Sequence, residues 1–423
     1  MQFQIDRPLT EAEQAAIERE ALDSFDSYLS RWPEPVRQQA GGVAVEWSAE
    51  GVWLRDVHGR AFLDCLGGYG VFALGHRHPR VVEAVKQQLD RLPLHSPRMI
   101  DPTVADAARR LAAVTPGTLR KTFFCNSGTE AVEGALKLAR LYTKRNTFIS
   151  TENSFHGKSM GSLSVTGRGL FREPTAGPLM PVRFVPFGDA AALERAIDAD
   201  TAAFIVEPIQ GEGGVQVPPP GYLAQVRELC TRKGILMVAD EIQTGLGRTG
   251  RMFACDHEGV VPDILCMAKA LSGGVVPCGA FTSTDEIWSA YHPTPLLHTS
   301  TFGANPLAAA AVRATLQVLA DERLPERAAR LGERCFEGLR ALWRRFPRIL
   351  KDVRGKGLMI GVEFVSEGAA AKAANELFEQ GILVGHTPNQ PRVMRLEPPL
   401  VITQEQLDSV LAKLESALEV VSR

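Results

Sequence analysis

The chain has 423 residues, enough for two or three domains of ordinary size and for a large core that needs no disulfide or metal staple. Its 47 Lys and Arg against 49 Asp and Glu leave a net charge of −2 without a long basic run, which argues against nucleic acid as the main partner. No apolar window is long enough to span a membrane, the polar start MQFQIDRPLTEAEQ does not resemble a secretory signal, and seven scattered cysteines without a C-x-x-C pair suit a reducing compartment, so a cytoplasmic protein without a metal site is expected.

In chain order, residues 10–31 carry helix formers with acids early and predict an N-terminal helix or arm. The segment VAVEWSAEGVWLRDVHGRAFLDC, residues 43–65, alternates apolar and polar residues around two turn pairs and predicts a short antiparallel meander. From about 80 to 300 the rhythm changes to short apolar strands alternating with amphipathic helices. The predicted strands lie at 121–125, 147–150, 182–185, 202–206, 235–239, 264–267 and 278–282, so a mostly parallel seven-stranded sheet covered by helices is expected. A long helix starts near Leu307. Beyond it, strands near 349–354, 358–364 and 393–396 and helices near 368–380 and 403–421 predict a smaller α+β unit. The expected division is 1–80 for the arm and meander, belonging to the small domain, 81–310 for the large α/β domain and 311–423 for the C-terminal small domain.

Two motif matches mislead. Gly245-Leu246-Gly247-Arg248-Thr249-Gly250 fits G-x-G-x-x-G, but a nicotinamide site needs those glycines at a strand–helix junction, and here Asp240–Thr244 separate them from the strand and no helix pattern follows. Gly157-Lys158-Ser159-Met160-Gly161 fits the hydrolase elbow, yet the preceding strand ends near 150, too far away to present the serine.

Three other features hang together. Asn126-Ser127-Gly128-Thr129-Glu130 joins a strand to a strong helix, where free N–H groups and a hydroxyl suit a phosphate dianion; an ordinary N-cap is the plain alternative. Asp240 ends an apolar strand and points toward the crevice where such sheets bind ligands, or else caps a turn. Lys269 follows the next strand between apolar residues, where desolvation would turn an ordinary lysine into a nucleophilic amine, or else it points to solvent off the strand end. A carboxylate, an amine and a phosphate cradle around one crevice suit pyridoxal phosphate: the lysine forms a Schiff base, the aspartate keeps the ring nitrogen protonated and the helix start holds the phosphate.

With FFCNSGTEAVEGALKLAR, FHGKSMG, EPIQGEGG, ADEIQTGLGRTG, PDILCMAKAL, HTSTFGANPLA, VRGKGLM and RLEPPLVI in order, the sequence from about 40 to 420 resembles the class III, or ω-, aminotransferases of the fold-type-I pyridoxal-phosphate enzymes. Within that branch LGGYGVFALGHRHP, LPLHS and VPPPGYL look most like putrescine (diamine) aminotransferases. The resemblance implies that Lys269 carries the cofactor and shuttles the proton, Asp240 pairs with the ring nitrogen, Gln243 contacts the ring hydroxyl, Phe155 stacks on the ring beside His156, and Ser127, Gly128 and Thr129 hold the phosphate. It also implies a homodimer with shared active sites, in which Thr301 completes the partner's phosphate site. Glu212 and Arg395 would form a switch, with a permanent structural ion pair as the plain alternative: Arg395 binds the carboxylate of a 2-oxo acid, and Glu212 neutralises it when a terminal amine donor is present. Tyr69 and Phe72 line the donor pocket or else pack in the core. The resulting expectation is transfer of a terminal amino group from a diamine such as putrescine or cadaverine to 2-oxoglutarate or pyruvate. The alternatives are ornithine, acetylornithine, 4-aminobutyrate or a specialised amine or aldehyde; a nicotinamide oxidoreductase is the remote one. Position 304 is Ala where the family often has glycine, and residues 1–40 and 365–392 match less well.

Overall fold

The computed structural model describes residues 9–29, 44–96, 98–175 and 180–423. The expected N-terminal helix is present as Glu11–Tyr28, started by a capping box between Thr10 and Glu13. The meander is β1 (Glu46–Glu50), β2 (Trp53–Asp56) and β3 (Ala61–Asp64), antiparallel throughout. Val43, where that meander was expected to begin, lies outside the described residues.

The central sheet contains β4 (Lys121–Cys125), β5 (Thr147–Thr151), β6 (Val182–Val185), β7 (Thr201–Val206), β8 (Leu236–Asp240), β9 (Ile264–Met267) and β10 (Gly279–Ser283). Their spatial order is β4-β10-β9-β8-β7-β5-β6, and only β10 runs against the others. This is the mostly parallel seven-stranded sheet of a fold-type-I transferase. Strands β5, β7, β8 and β9 are buried along their whole length, as strands covered by helices on both faces must be. That double burial is why their sequences read as continuous apolar runs instead of alternating.

The C-terminal part adds β11 (Leu350–Lys356), β12 (Met359–Phe364), β13 (Ile382–Leu383), β14 (Gly385–Thr387) and β15 (Gln390–Leu396). Strands β11, β12, β15 and β14 form an antiparallel sheet in that order, whereas β13 pairs in parallel with β3 and ties the meander to the C-terminal segment. The short β13 and β14, and the 22-residue helix Leu324–Arg345, were not anticipated from sequence. All seven cysteines are buried and unpaired. No helix among the described residues is long and apolar enough to cross a membrane, and no group of metal-ligating side chains gathers among them.

Candidate active site

Because β4, β5, β7, β8 and β9 run the same way, the loops leaving their carboxyl ends converge on one crevice. A cavity of about 590 Å³ lies there, and its walls include Phe72, Ser127, Gly128, Thr129, Phe155, His156, Glu207, Asp240, Gln243 and Lys269. The sequence placed all of these except Glu207 among its candidates.

Asp240 is the last residue of β8, and its neighbour in the ladder is Cys266 of β9, three positions before Lys269. The two strand ends therefore set the acid and the amine side by side. Asp240 is buried; its Oδ2 lies 2.7 Å from His156 Nδ1, and its Oδ1 accepts the Ile242 N–H at 3.1 Å. His156 thus serves as a holder of Asp240 as well as a wall of the cavity, and its Nε2 is buried without a partner. Lys269 takes φ 47°, a left-handed conformation that costs a non-glycine residue free energy and recurs at functional sites. Burial lowers the pKa of Lys269; Glu212 and Glu397 oppose that shift, and Arg395 adds to it.

The phosphate cradle is the start of helix Gly128–Thr143. Ser127 caps it, its hydroxyl accepting the Glu130 N–H at 3.3 Å, and the apolar face Ala131, Val132, Ala135, Leu136, Leu138 and Ala139 is buried against the sheet. The N–H groups of Gly128 and Thr129 have no upstream carbonyl within the helix, so they are left for an anion. Glycine is needed at 157, where φ is 125° and an added Cβ would lie 2.5 Å from both Thr129 Oγ1 and Ser162 Oγ. Thr129 Oγ1 is itself within 2.6 Å of the Ser159 and Ser162 hydroxyls. Ser159, the serine of the elbow-like match, bonds Glu133 at 2.6 Å and belongs to this hydroxyl network.

Arg395 on β15 and Glu212, from the loop after β7, meet as a buried pair at 2.8 Å. Burial works against the charge of Arg395, but Glu212 and then Glu397 outweigh it and leave its pKa raised. Glu397 is wholly buried, accepts from Gln243 Nε2 at 3.2 and 3.0 Å, and lies 3.8 Å from Arg395 Nε. Sequence reasoning missed it because it reads as one more residue of a Pro-rich strand end. It missed Glu207 likewise, whose two oxygens accept the N–H groups of Phe155 at 2.9 Å and Gly211 at 3.0 Å. Tyr69 is exposed, with Arg395 stacked 4.9 Å from its ring centre, and Phe72 is half-buried in the cavity wall, so neither is a core residue. Thr301 is exposed and does not line this cavity.

The G-x-G-x-x-G match is a buried turn. Arg248 from it donates to the carbonyls of Leu358 at 3.0 Å and Pro398 at 2.6 Å, and Glu241 accepts the N–H groups of Ala254 and Cys255. No helix opens on it, so the dinucleotide reading has no place to put a pyrophosphate. The donor set instead fits pyridoxal phosphate: an amine of lowered pKa, a clamped buried carboxylate and a helix start with open N–H groups around one cavity.

The chain matches the family Aminotransferase class-III over residues 38–418. Ornithine aminotransferase from Toxoplasma gondii ME49 is 35% identical with a TM-score of 0.89, covering 98% of this chain and 99% of its own. Acetylornithine aminotransferase from Elizabethkingia anophelis is 35% identical with a TM-score of 0.83, covering 95% and 99%. An amine transaminase from an uncultivated Pseudomonas species, solved in its PLP-bound form, is 32% identical with a TM-score of 0.84, covering 93% and 98%. The first two of these relatives favour the ornithine and acetylornithine alternative over the putrescine likeness expected from sequence, and the substrate itself is not fixed by them.

Proposed function

The chain belongs to the class-III aminotransferase family, uses pyridoxal phosphate, and from that premise we propose that it moves the terminal amino group of an ω-amino acid, of the ornithine or acetylornithine kind, to a 2-oxo acid such as 2-oxoglutarate. The observation that carries the choice of donor is an exposed cation in the cavity wall. Lys158 forms part of the wall, makes no ion pair among the described residues, and sits 4.5 Å from the ring centre of Phe171. Arg168 lies 5.5 Å from the same ring and donates to Asn389 Oδ1 at 2.9 Å. Lys158 in the wall attracts the carboxylate at the far end of an ω-amino acid, a group that a diamine lacks.

Bound pyridoxal phosphate supplies a ring that takes up the electron pair released when a substrate C–H bond breaks. The chain's own residues do the rest in this reading. Ser127, Gly128 and Thr129 hold the phosphate dianion. Asp240, fixed by His156 and the Ile242 N–H, keeps its negative charge at the ring nitrogen, and Phe155 covers the ring face. Lys269 holds the cofactor and carries the proton, with its lowered pKa making the neutral amine accessible. Glu212 neutralises Arg395 while the donor is bound and turns aside when the oxo acid brings its carboxylate. The active form is a homodimer in which Thr301 completes the partner's cradle.

The test is a titration of the purified yellow protein, without oxo acid, with ornithine, N-acetylornithine and putrescine in turn. Loss of the yellow absorbance at lower concentrations of an ω-amino acid than of putrescine is the expected result. Putrescine acting as well or better would return the diamine to first place.

A further inference from the structure

We propose that Glu397 is a specificity-determining residue: a fixed, buried counter-charge that weakens the pull of Arg395 on a carboxylate at the reacting carbon and so biases the site toward terminal amines. This rests on Arg395 being the carboxylate-binding group, as read above.

The two acids beside Arg395 are held in different ways. Glu212 has one oxygen on Arg395 Nη1 at 2.8 Å, while its other oxygen is buried without a partner. Its side chain is 11% exposed, and that single bond is the one side-chain hydrogen bond that holds it among the described residues. Glu397 is anchored by groups that have nothing to do with Arg395. Gln243 Nε2 donates to both of its oxygens, its backbone N–H donates to the Cys65 carbonyl at 2.7 Å, and the next residue's carbonyl accepts from Arg248 at 2.6 Å. Its side chain is fully enclosed.

When Glu212 turns aside, Arg395 is therefore not a bare cation. Glu397 stays 3.8 Å from Arg395 Nε, a nitrogen that has no hydrogen-bond partner. An incoming carboxylate becomes the second anion on one guanidinium, in a setting where like charges are poorly screened. A terminal amine donor brings no carboxylate to that place and meets an arginine already neutralised. The acid pair thus sets two levels of charge: Glu212 switches, and Glu397 fixes how strongly the open state holds an oxo acid or an α-amino acid.

Glu397→Gln keeps the volume and an acceptor for Gln243 while removing the charge. In the cofactor-loaded enzyme it should lower KM for 2-oxoglutarate about tenfold, in line with the coupling of close buried charges. The Kd of glutarate, a dicarboxylate that cannot react, should fall in parallel when read by calorimetry, and KM for the ω-amino donor should not fall. A general loosening of the site would weaken all three. Glu397→Met, which fills the space without charge, gives the same direction if the glutamine variant does not fold. A folded variant that binds glutarate and 2-oxoglutarate no better than the parent overturns the proposal. Arg395→Met separates the two readings. If it leaves 2-oxoglutarate use intact, the reading of Arg395 is wrong and the role of Glu397 falls with it. If it abolishes that use while Glu397→Gln still fails to tighten binding, only the role of Glu397 falls.

Discussion

Glu207 shows what a single residue costs and does here. Burial pushes its pKa up to about 7, the nearby Asp240 carboxylate adds to the rise, and His156 opposes it. It remains in place because its oxygens tie the N–H of Phe155, whose ring lines the cavity, to that of Gly211, next to Glu212. A carboxyl whose folded pKa is raised contributes stability that is complete below its unfolded value near 4.5 and is lost as pH rises through 7. The loss is on the order of 3 kcal/mol from the size of the shift. Urea unfolding of the parent and of Glu207→Gln at pH 5 and pH 8 tests this: the parent should lose more stability across the interval, and equal slopes would place its titration elsewhere. Neither Glu207 nor Glu397 could be read from sequence as site residues, because their partners lie 52 and 154 positions away. Asp240 and Lys269 were legible because one ends an apolar strand and the other follows one closely, where a charged residue stands out against its surroundings. His156 was legible only in part, since its bond to Asp240 depends on a loop meeting the end of a strand 84 positions away.

Among elements, the seven strands of the central sheet were legible since each is a buried apolar run bounded by turns or helices. Strands β13 and β14 were not, because two or three residues carry no period and exist only through pairing with β3 and β15. The helix Leu324–Arg345 was not anticipated although its apolar residues Leu331, Cys335, Leu339 and Leu342 recur at helical spacing; many charged residues lie between them and break up the apolar signal. Local chemistry did show through at position 304. Ala304 takes φ 57° just before Asn305, the N-cap of helix Pro306–Asp321, so the glycine the family often has there would fit without strain. Left-handed alanine costs about 1 kcal/mol, part of which glycine returns as chain entropy in the unfolded state. Ala304→Gly should therefore raise Tm by about 1 °C in a chain of this size, read by calorimetry; a fall would mean that the alanine methyl packs more than it strains.

At the scale of the molecule, the surface carries apolar residues that one chain leaves uncovered. Ile100 is 93% exposed, Leu296 83%, Met99 74% and Phe302 58%. Large apolar side chains this open, in two separate segments, are what the proposed dimer would cover. One of these segments is bound to the site itself: Asn126, at the cavity wall, donates to Ser300 Oγ at 3.1 Å, while Thr301 beside it faces outward. The loop is thus fixed by its own active site and leaves its next residue open to another molecule, which is the arrangement that the proposed two-fold dimer with shared sites would use. Sedimentation equilibrium should give twice the 46.0 kDa chain mass. Ile100→Glu and Phe302→Glu should each shift the protein toward monomer and, with it, lose cofactor on dialysis, because the cradle of each subunit then lacks the other's Thr301. A parent that sediments as a single chain would overturn the shared site. A monomeric variant that keeps its cofactor would leave the dimer standing and confine the phosphate to Ser127, Gly128 and Thr129 of one chain.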